Sequence, residues 1–167
     1  MRVAGALAAL ALIAVPASAL AVAQPAKPVD LARYAGRWYE IAHTANRHEA
    51  DCVSATADYR DDGGRISVTE TCRTTAGRRK SYRPSVRILD PGTNAKLRLT
   101  FFVLINKDYW VLDHADDYSW ALVGSPTGKN FWVFARTPEL PEPLKAEIVA
   151  RAKSLGYDTS RIVYDKP

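Results

Sequence analysis

The sequence predicts an all-β domain, an eight-stranded antiparallel up-and-down β-barrel with one C-terminal α-helix packed outside it. Three observations predict it: eight β-rich runs alternate apolar and polar residues, short turn clusters separate them, and one helical pattern follows the last run. Short turns favour a meander of neighbouring strands over β-α-β units. Eight strands can close without exposed edges, around an interior wide enough for side chains or one small ligand.

The first 23 residues match a secretory signal peptide. Arg2 precedes an apolar run, residues 3–15, which is shorter than the roughly 20 residues that span a bilayer, and Pro16 interrupts it, so a membrane anchor is disfavoured. Small residues allow cleavage after Ala19 or Ala23. We expect residues 24–30 to form a lead-in, residues 31–167 to form the barrel domain, and the protein to be periplasmic or secreted.

The β-rich runs follow this lead-in in order. They are residues 38–44, 53–60, 65–73, 81–89, 96–103, 109–112, 118–123 and 131–136. The helix begins after prolines near residue 141, repeats apolar residues at Leu144, Ile148, Ala152 and Leu155, and ends at Gly156. A last strand follows at residues 160–165. In this topology the turns at 43–51, 74–80, 103–109 and 124–130 share one end of the barrel.

The net charge of +5 is mild, and no helix-turn-helix or alternation of aromatic and basic residues accompanies it, so nucleic-acid binding is not expected. The two cysteines of an exported chain favour a disulfide. A three-residue hairpin loop at residues 61–63 would place Cys52 opposite Cys72. A bridge across about 20 residues contributes on the order of 3 kcal/mol to stability.

Three motifs then resemble the lipocalin family, most closely bacterial outer-membrane lipocalins and apolipoprotein D. They are YAGRWYEI with Gly36 and Trp38, DHADDYSWALVG around Asp117 and Tyr118, and FWVFARTPELP with Arg136. The resemblance implies that Gly36 lets the backbone pass beneath the barrel floor and that Trp38 points into its base. It also implies that Arg136 covers the indole from outside, so these motif residues are structural.

Strand parity supplies the candidate ligand contacts. Alternate residues of a strand point to the same face. We take as inward the face of Trp38 on the first strand, the face of the small residues on the second strand, and the face of the apolar residues on the later strands. The candidates are Glu40, Ala55, Ala57, Glu70, Leu97, Leu99, Phe101, Trp132 and Phe134. The alternatives are that the aromatic residues fill a solid core and that Glu70 is an exposed strand carboxylate.

The end of the barrel opposite the motifs has two further features. Arg78, Arg79 and Lys80 form a cationic rim for a phosphate or carboxylate head group, or else a solvated turn. The loop with Phe102, Val103, Leu104 and Tyr109 is unusually apolar for a surface position, which indicates a lid, a homodimer contact or peripheral membrane contact.

These observations predict non-enzymatic binding, storage or transport of a fatty acid or lysophospholipid in the barrel, in envelope lipid upkeep, with no cofactor and no metal. One alternative is a tetrapyrrole or haem carrier that uses His43 or His48, both predicted in an open-end loop. The other is a lipocalin-type isomerase, for which Cys72 would have to be a free thiol. The related lipoproteins carry an acylated cysteine after the leader, and this sequence has none there, so a lipid anchor is not expected.

Overall fold

Two helices and ten strands lie in the part of the chain that the computed structural model describes, which is residues 24–25, 27–63 and 65–166. In chain order they are α1 (Leu31–Tyr34), β1 (Gly36–Thr44), β2 (Cys52–Asp61), β3 (Ile66–Thr74), β4 (Arg79–Tyr82), β5 (Ser85–Ile88), β6 (Lys96–Phe101), β7 (Ile105–His114), β8 (Trp120–Gly124), β9 (Phe131–Ala135), α2 (Glu142–Ser154) and β10 (Ile162–Tyr164). The predicted signal peptide lies outside the described residues. Neither described helix is both long enough and apolar enough to cross a membrane.

Consecutive strands pair around a closed antiparallel barrel, and pairing of β9 with β1 completes the circle. The predicted eight-stranded barrel with a C-terminal helix outside it is therefore confirmed. The single strand predicted at residues 81–89 is wrong, because it divides into β4, which pairs with β3, and β5, which pairs with β6. Pro84 lies at the break, since proline has no N–H to donate to a strand ladder.

The C-terminal strand fills a gap in the barrel wall. β1 pairs with β2 only from Gly36 to Tyr39, and residues 42–44 pair with β10 instead. The tail then reaches β2, because the Lys166 N–H donates to the Val53 carbonyl at 2.8 Å. The wall at this end of the barrel therefore includes the last described residues of the chain.

Two apolar clusters lie on opposite sides of the sheet. One fills the closed half of the barrel and contains Trp38 and Leu99, both fully buried. The other lies between the wall and α2, where Ile148 packs with Leu122 and Phe131. The barrel is consequently solid at the end where Trp38 lies, and any hollow lies above that level.

The hairpin between β2 and β3 has a register different from the predicted one, and the disulfide forms nevertheless. Ala55, and not Cys52, lies opposite Cys72, while Cys52 lies opposite Thr74. The ladder shifts between Cys52 and Ser54, and the extra residue returns Cys52 to the face that Ala55 and Cys72 share. The two cysteine Cα atoms are 5.6 Å apart, and the predicted Cys52–Cys72 disulfide is confirmed.

The apolar stretch after β6 is a tight hairpin and not the long loop that the sequence predicts. Phe101 pairs with Ile105, so the turn contains only residues 102–104. Tyr109, predicted in the loop, belongs to β7 and packs against the interior cluster of the barrel. The exposed apolar surface of this hairpin is therefore confined to its tip and the first residue of β7.

Arg136 and Trp38 seal the closed end. The Arg136 guanidinium carbon lies 3.7 Å from the centroid of the Trp38 ring, a cation–π contact of about 1–2 kcal/mol when partly desolvated. The indole N–H donates to the Tyr34 carbonyl at 2.8 Å. The guanidinium also donates to the backbone carbonyls of Arg33, Tyr34, Ala35, Arg37 and Tyr118. One side chain thus joins α1, β1 and the turn before β8.

The other motif residues shape the backbone around this contact. Gly36 has φ of 101°, and a Cβ there would lie 3.2 Å from Arg136 Nη1. Tyr118 has φ of 60°, and its hydroxyl accepts the Asp30 N–H at 2.8 Å. The Asp117 carboxylate accepts the backbone N–H two residues later. These groups hold the lead-in and the turn against the floor.

Arg136→Lys is expected to lower the free energy of unfolding by about 2 kcal/mol, because lysine keeps the charge and loses the planar fork that reaches several carbonyls. Urea unfolding followed by far-UV circular dichroism measures the change. Arg60→Lys, at an exposed position of β2, is the matched control and should leave stability unchanged. Equal stabilities of the two variants would contradict the role given to Arg136.

Candidate functional site

A cavity of about 570 Å³ lies inside the barrel, between the floor and the end where the loops at 45–51 and 125–130 lie. Its volume falls in the range of roughly 300–1,000 Å³ that is usual for small-molecule sites. A depression of about 640 Å³ also lies outside the barrel, lined by Arg47, Lys129, Asp158 and Arg161 among others. That depression is shallow and polar, so we place the candidate site in the barrel interior.

Most of the residues predicted from strand parity line this cavity. They are Glu40, Ala55, Ala57, Glu70, Phe101, Trp132 and Phe134. Leu97 and Leu99 do not line it, which corrects the prediction for these two. They are 2% and 0% exposed in the interior cluster, because the rings of Trp38 and Tyr59 fill the barrel at their level.

The cationic residues predicted as a head-group rim lie at the turn between β3 and β4, outside the lining of the cavity. Arg78 and Arg79 are exposed near the turn between β3 and β4. Lys80 Nζ lies 2.6 Å from Asp51 Oδ2, so its charge is already paired at the surface. None of the three side chains contributes to the walls of the cavity.

Sequence reasoning missed several residues of the cavity lining, and Glu49 and Tyr109 matter most for its chemistry. Glu49 lies in the loop after β1, and its carboxylate accepts the Trp132 indole N–H at 3.2 Å. The Asn46 side chain holds this loop, because its oxygen accepts the N–H groups of His48 and Glu49. The Tyr109 ring lies 5.0 Å from the Trp132 ring, centroid to centroid. Tyr109 shares a strand face with Ile105, and this face points into the barrel. The sequence analysis missed it because it did not begin the strand at Ile105.

His43 is a buried residue of β1. The prediction that it lies in an open-end loop is therefore wrong. Its Nδ1 lies 2.7 Å from Glu40 Oε1 and 3.3 Å from Asp165 Oδ1. His43 is therefore in close contact with two carboxylates. Burial by itself lowers the pKa of His43, but the Asp165 and Glu40 carboxylates outweigh it and raise that pKa.

Glu40, His43 and Asp165 are also the described group whose chemistry suits a metal ion, with ligand atoms within 4.8 Å of one another. His43, as the one cation of the three, offsets part of the charge of the two carboxylates. Asp165 also accepts the Ala55 N–H at 2.8 Å, which ties the C-terminal tail to β2. The cluster therefore has a structural role in closing the wall.

Two carboxyl groups of the cavity have raised pKa values. Burial, followed by the neighbouring Glu49 carboxylate, raises the pKa of Glu40. The same two causes raise the pKa of Glu70 to about 7. Glu70 has no hydrogen bond or ion pair with any described residue. A half-buried carboxylate without a partner lowers the stability of the folded protein, and this carboxylate is part of the cavity lining.

The other groups considered for chemistry are engaged elsewhere. Both cysteines of the chain form the disulfide, so neither supplies a thiol. His114 lies at the closed end, with its ring nitrogens near the carbonyls of Ala115 and Pro28. Of the three histidines, His48 is the one that lines the cavity.

The chain matches a family model described as a lipocalin-like domain over residues 29–167. It is 31% identical over 137 residues to the outer membrane lipoprotein Blc of Escherichia coli strain K12, covering 81% of this chain and 77% of that protein. It is 32% identical over 153 residues to apolipoprotein D of Mus musculus, covering 83% and 79%. The structure of insecticyanin from the tobacco hornworm Manduca sexta shares the fold, with a TM-score of 0.71 at 24% identity over 86% of this chain and 84% of that one.

Glu70→Gln is expected to stabilise the unliganded protein at high pH and not at low pH. The folded state raises the pKa of Glu70 from 4.5 to about 7, so it favours the protonated form, and stability falls as pH rises through this window. Glutamine stays neutral and avoids the loss. Calorimetry should show the variant melting roughly 2–4 °C above the parent near pH 8.5, with no such gain near pH 5.

Glu147→Gln, at an exposed position of α2, is the control for this comparison, because its carboxylate is in water in both states. A Glu70→Gln variant that melts no higher than the parent at the upper pH would contradict the burial of this carboxylate.

Proposed function

The chain belongs to the lipocalin family, and from this premise we propose that it binds and carries a single-chain amphiphile in the barrel cavity without catalysing a reaction. Lipocalins bind small hydrophobic ligands, and the finer proposal concerns the class of ligand. We propose a fatty acid or a lysophospholipid, with its alkyl chain inside the barrel and a role in the upkeep of envelope lipids.

The observation that carries this proposal is the cavity of about 570 Å³ with apolar and aromatic walls. Ala55 and Ala57 leave space on β2, while Phe101, Trp132 and Phe134 offer flat apolar surfaces. Burying about ten methylenes contributes roughly 8 kcal/mol before the costs of association are subtracted. With the aromatic contacts added, we expect dissociation constants on the order of micromolar.

The contacts of the polar residues support a binding protein over the two alternatives. The isomerase reading requires a free thiol, and the disulfide occupies both cysteines. The haem reading is left with His48, because His43 lies between the carboxylates of Glu40 and Asp165. Visible absorbance of the purified protein would reveal a bound tetrapyrrole directly.

A place in the cell envelope is proposed on two grounds. The leader at residues 1–23 predicts export, and the Escherichia coli relative is named an outer membrane lipoprotein. A periplasmic or released protein that handles lipids would meet its ligand at a membrane surface, which gives the apolar hairpin tip a role.

We assign that role to residues 102–104 at the tip of the β6–β7 hairpin. Phe102, Val103 and Leu104 are 72%, 87% and 84% exposed. Phe102 and Val103 have φ of 48° and 69°, a region that is rare for a β-branched residue such as valine. This backbone conformation has an energetic cost at an exposed apolar turn. The exposed side chains of Arg78 and Arg79 lie at the same end of the barrel. We therefore propose that the tip contacts the surface of an anionic bilayer.

Ala55→Phe is expected to weaken binding of a lysophosphatidylcholine with a twelve-carbon chain by tenfold or more, because the ring fills the space beside β2 (about 1.4 kcal/mol per tenfold). Calorimetric titration below the micelle concentration measures the affinity, and native mass spectrometry checks a single bound lipid. Thr69→Phe, on the outer face of β3, adds the same ring outside the cavity and should bind like the parent. Equal binding by all three proteins would place the ligand outside the barrel.

The double change Phe102→Ser and Leu104→Ser is expected to reduce binding to vesicles that contain phosphatidylglycerol by tenfold or more, since each buried apolar side chain contributes about 1.5–3 kcal/mol. Co-sedimentation measures the bound fraction. Tyr164→Ser, which removes a half-exposed ring from β10, is the control. Unchanged sedimentation of the double variant would contradict membrane contact, and a parent dimer that the double variant loses would make the tip a dimer contact instead.

A further inference from the structure

Three carboxylates line the cavity although they come from different elements. Glu40 is on β1, Glu70 is on β3 and Glu49 is in the loop between β1 and β2. Glu49 is close enough to act on the charge of both other carboxyls, and all three act on the Tyr109 hydroxyl. The cavity therefore contains a single acidic cluster beside an aromatic ring.

The described residues do not neutralise this cluster. His43 is a single cation between two carboxylates, those of Glu40 and Asp165. The side-chain partners of Glu49 are neutral donors, the Trp132 indole and the Asn46 amide. Glu70 has no partner among the residues described. Buried carboxylates without cations are costly, so a bound positive charge would be stabilised here.

Three basic residues, His48, Arg98 and Lys107, also line the cavity. Arg98 pairs with Asp108 through two contacts of 2.6 Å and 2.8 Å. Lys107 is exposed near the hairpin tip, and His48 lies in the loop after β1. Burial and the Glu49 carboxylate raise the pKa of Glu70, and no cation among the described residues offsets this rise.

Aromatic faces complete the chemistry of the cluster. The Tyr109 and Trp132 rings are tilted by 35° to each other, and the Phe134 backbone pairs with that of Glu40 across the β1–β9 ladder. The face of an aromatic ring attracts a cation, most strongly when the cation is removed from water. Carboxylates and ring faces together form the usual receptor for an ammonium group.

We propose that the cavity selects ligands that carry a positively charged ammonium group, held between Glu40, Glu49 and Glu70 and against Tyr109 and Trp132. The inference rests on the proposed function and names the head-group chemistry of its ligand. Of the two lipid classes proposed above, lysophospholipids with a choline or ethanolamine head carry such a group and fatty acids do not. An anionic head group would be repelled by the cluster.

The test compares three probes with the same twelve-carbon chain: dodecyltrimethylammonium, dodecanol and dodecanoate. Calorimetric titration at low salt near pH 8.5 should show the ammonium binding at least tenfold more tightly than dodecanoate. Its affinity should rise from about pH 5.5 to about pH 8.5, because its own charge does not titrate while the carboxyls of the cluster lose their protons. The titratable and charged groups that line the cavity are Glu40 on β1, His48 and Glu49 in the loop, Glu70 on β3, Tyr82 on β4, Arg98 on β6, and Lys107, Asp108 and Tyr109 on β7. His43 lies behind this lining, in contact with Glu40 and Asp165.

Glu70→Gln should lower the affinity for the ammonium about five- to tenfold, flatten its rise with pH, and leave dodecanol within twofold of the parent. Glu147→Gln on α2 is the matched control and should change none of these values. Dodecanoate binding as tightly as the ammonium, or a Glu70→Gln variant with unchanged ammonium affinity, would overturn the inference while dodecanol binding still supports the carrier. Failure of all three probes to bind would overturn the carrier function and the inference together.

Discussion

The contact between Arg136 and Trp38 is the constraint on which the rest of the barrel depends. It closes one end by a single side chain that joins α1, β1 and the turn before β8 through backbone carbonyls. Because this end is fixed and filled, the other end can stay open without loss of the barrel shape. The apolar core lies at the floor and between the wall and α2, which leaves the upper interior free of a packing role.

Much of the fold was predictable because strand alternation, turn clusters and three motifs point to the same barrel. The errors occurred where a local irregularity decides the outcome. Pro84 divides a strand, the pairing of Asp61 with Ile66 sets a hairpin register different from the predicted one, and a three-residue turn replaces a long apolar loop. The short helix α1 was missed too, although Asp30 caps it by accepting two N–H groups. Strand breaks, turn lengths and short capped helices depend on single backbone hydrogen bonds. The periodicity of apolar residues does not predict such bonds.

The candidate site was predictable in outline and not in its chemistry. Parity identified which residues face inward, but it could not show the level at which the core ends, so Leu97 and Leu99 were assigned to a cavity that begins above them. Glu49 was missed because a loop residue has no parity, and only the folded loop brings it to Trp132. The Glu70 carboxylate, which has no partner among the described residues, reduces stability inside the cavity, and departures of this kind are typical of functional positions.

The position of β10 has a consequence for the order in which the protein can assemble. Beyond Tyr39, both edges of β1 are covered by residues that lie about 90 to 120 positions later in the chain, in β9 and β10. The part of β1 beyond Tyr39 therefore lacks both of its strand partners until nearly all of the sequence has been synthesised. Contacts of such long sequence separation form slowly. The barrel wall around this part of β1 can therefore close only when the last strands of the chain are present.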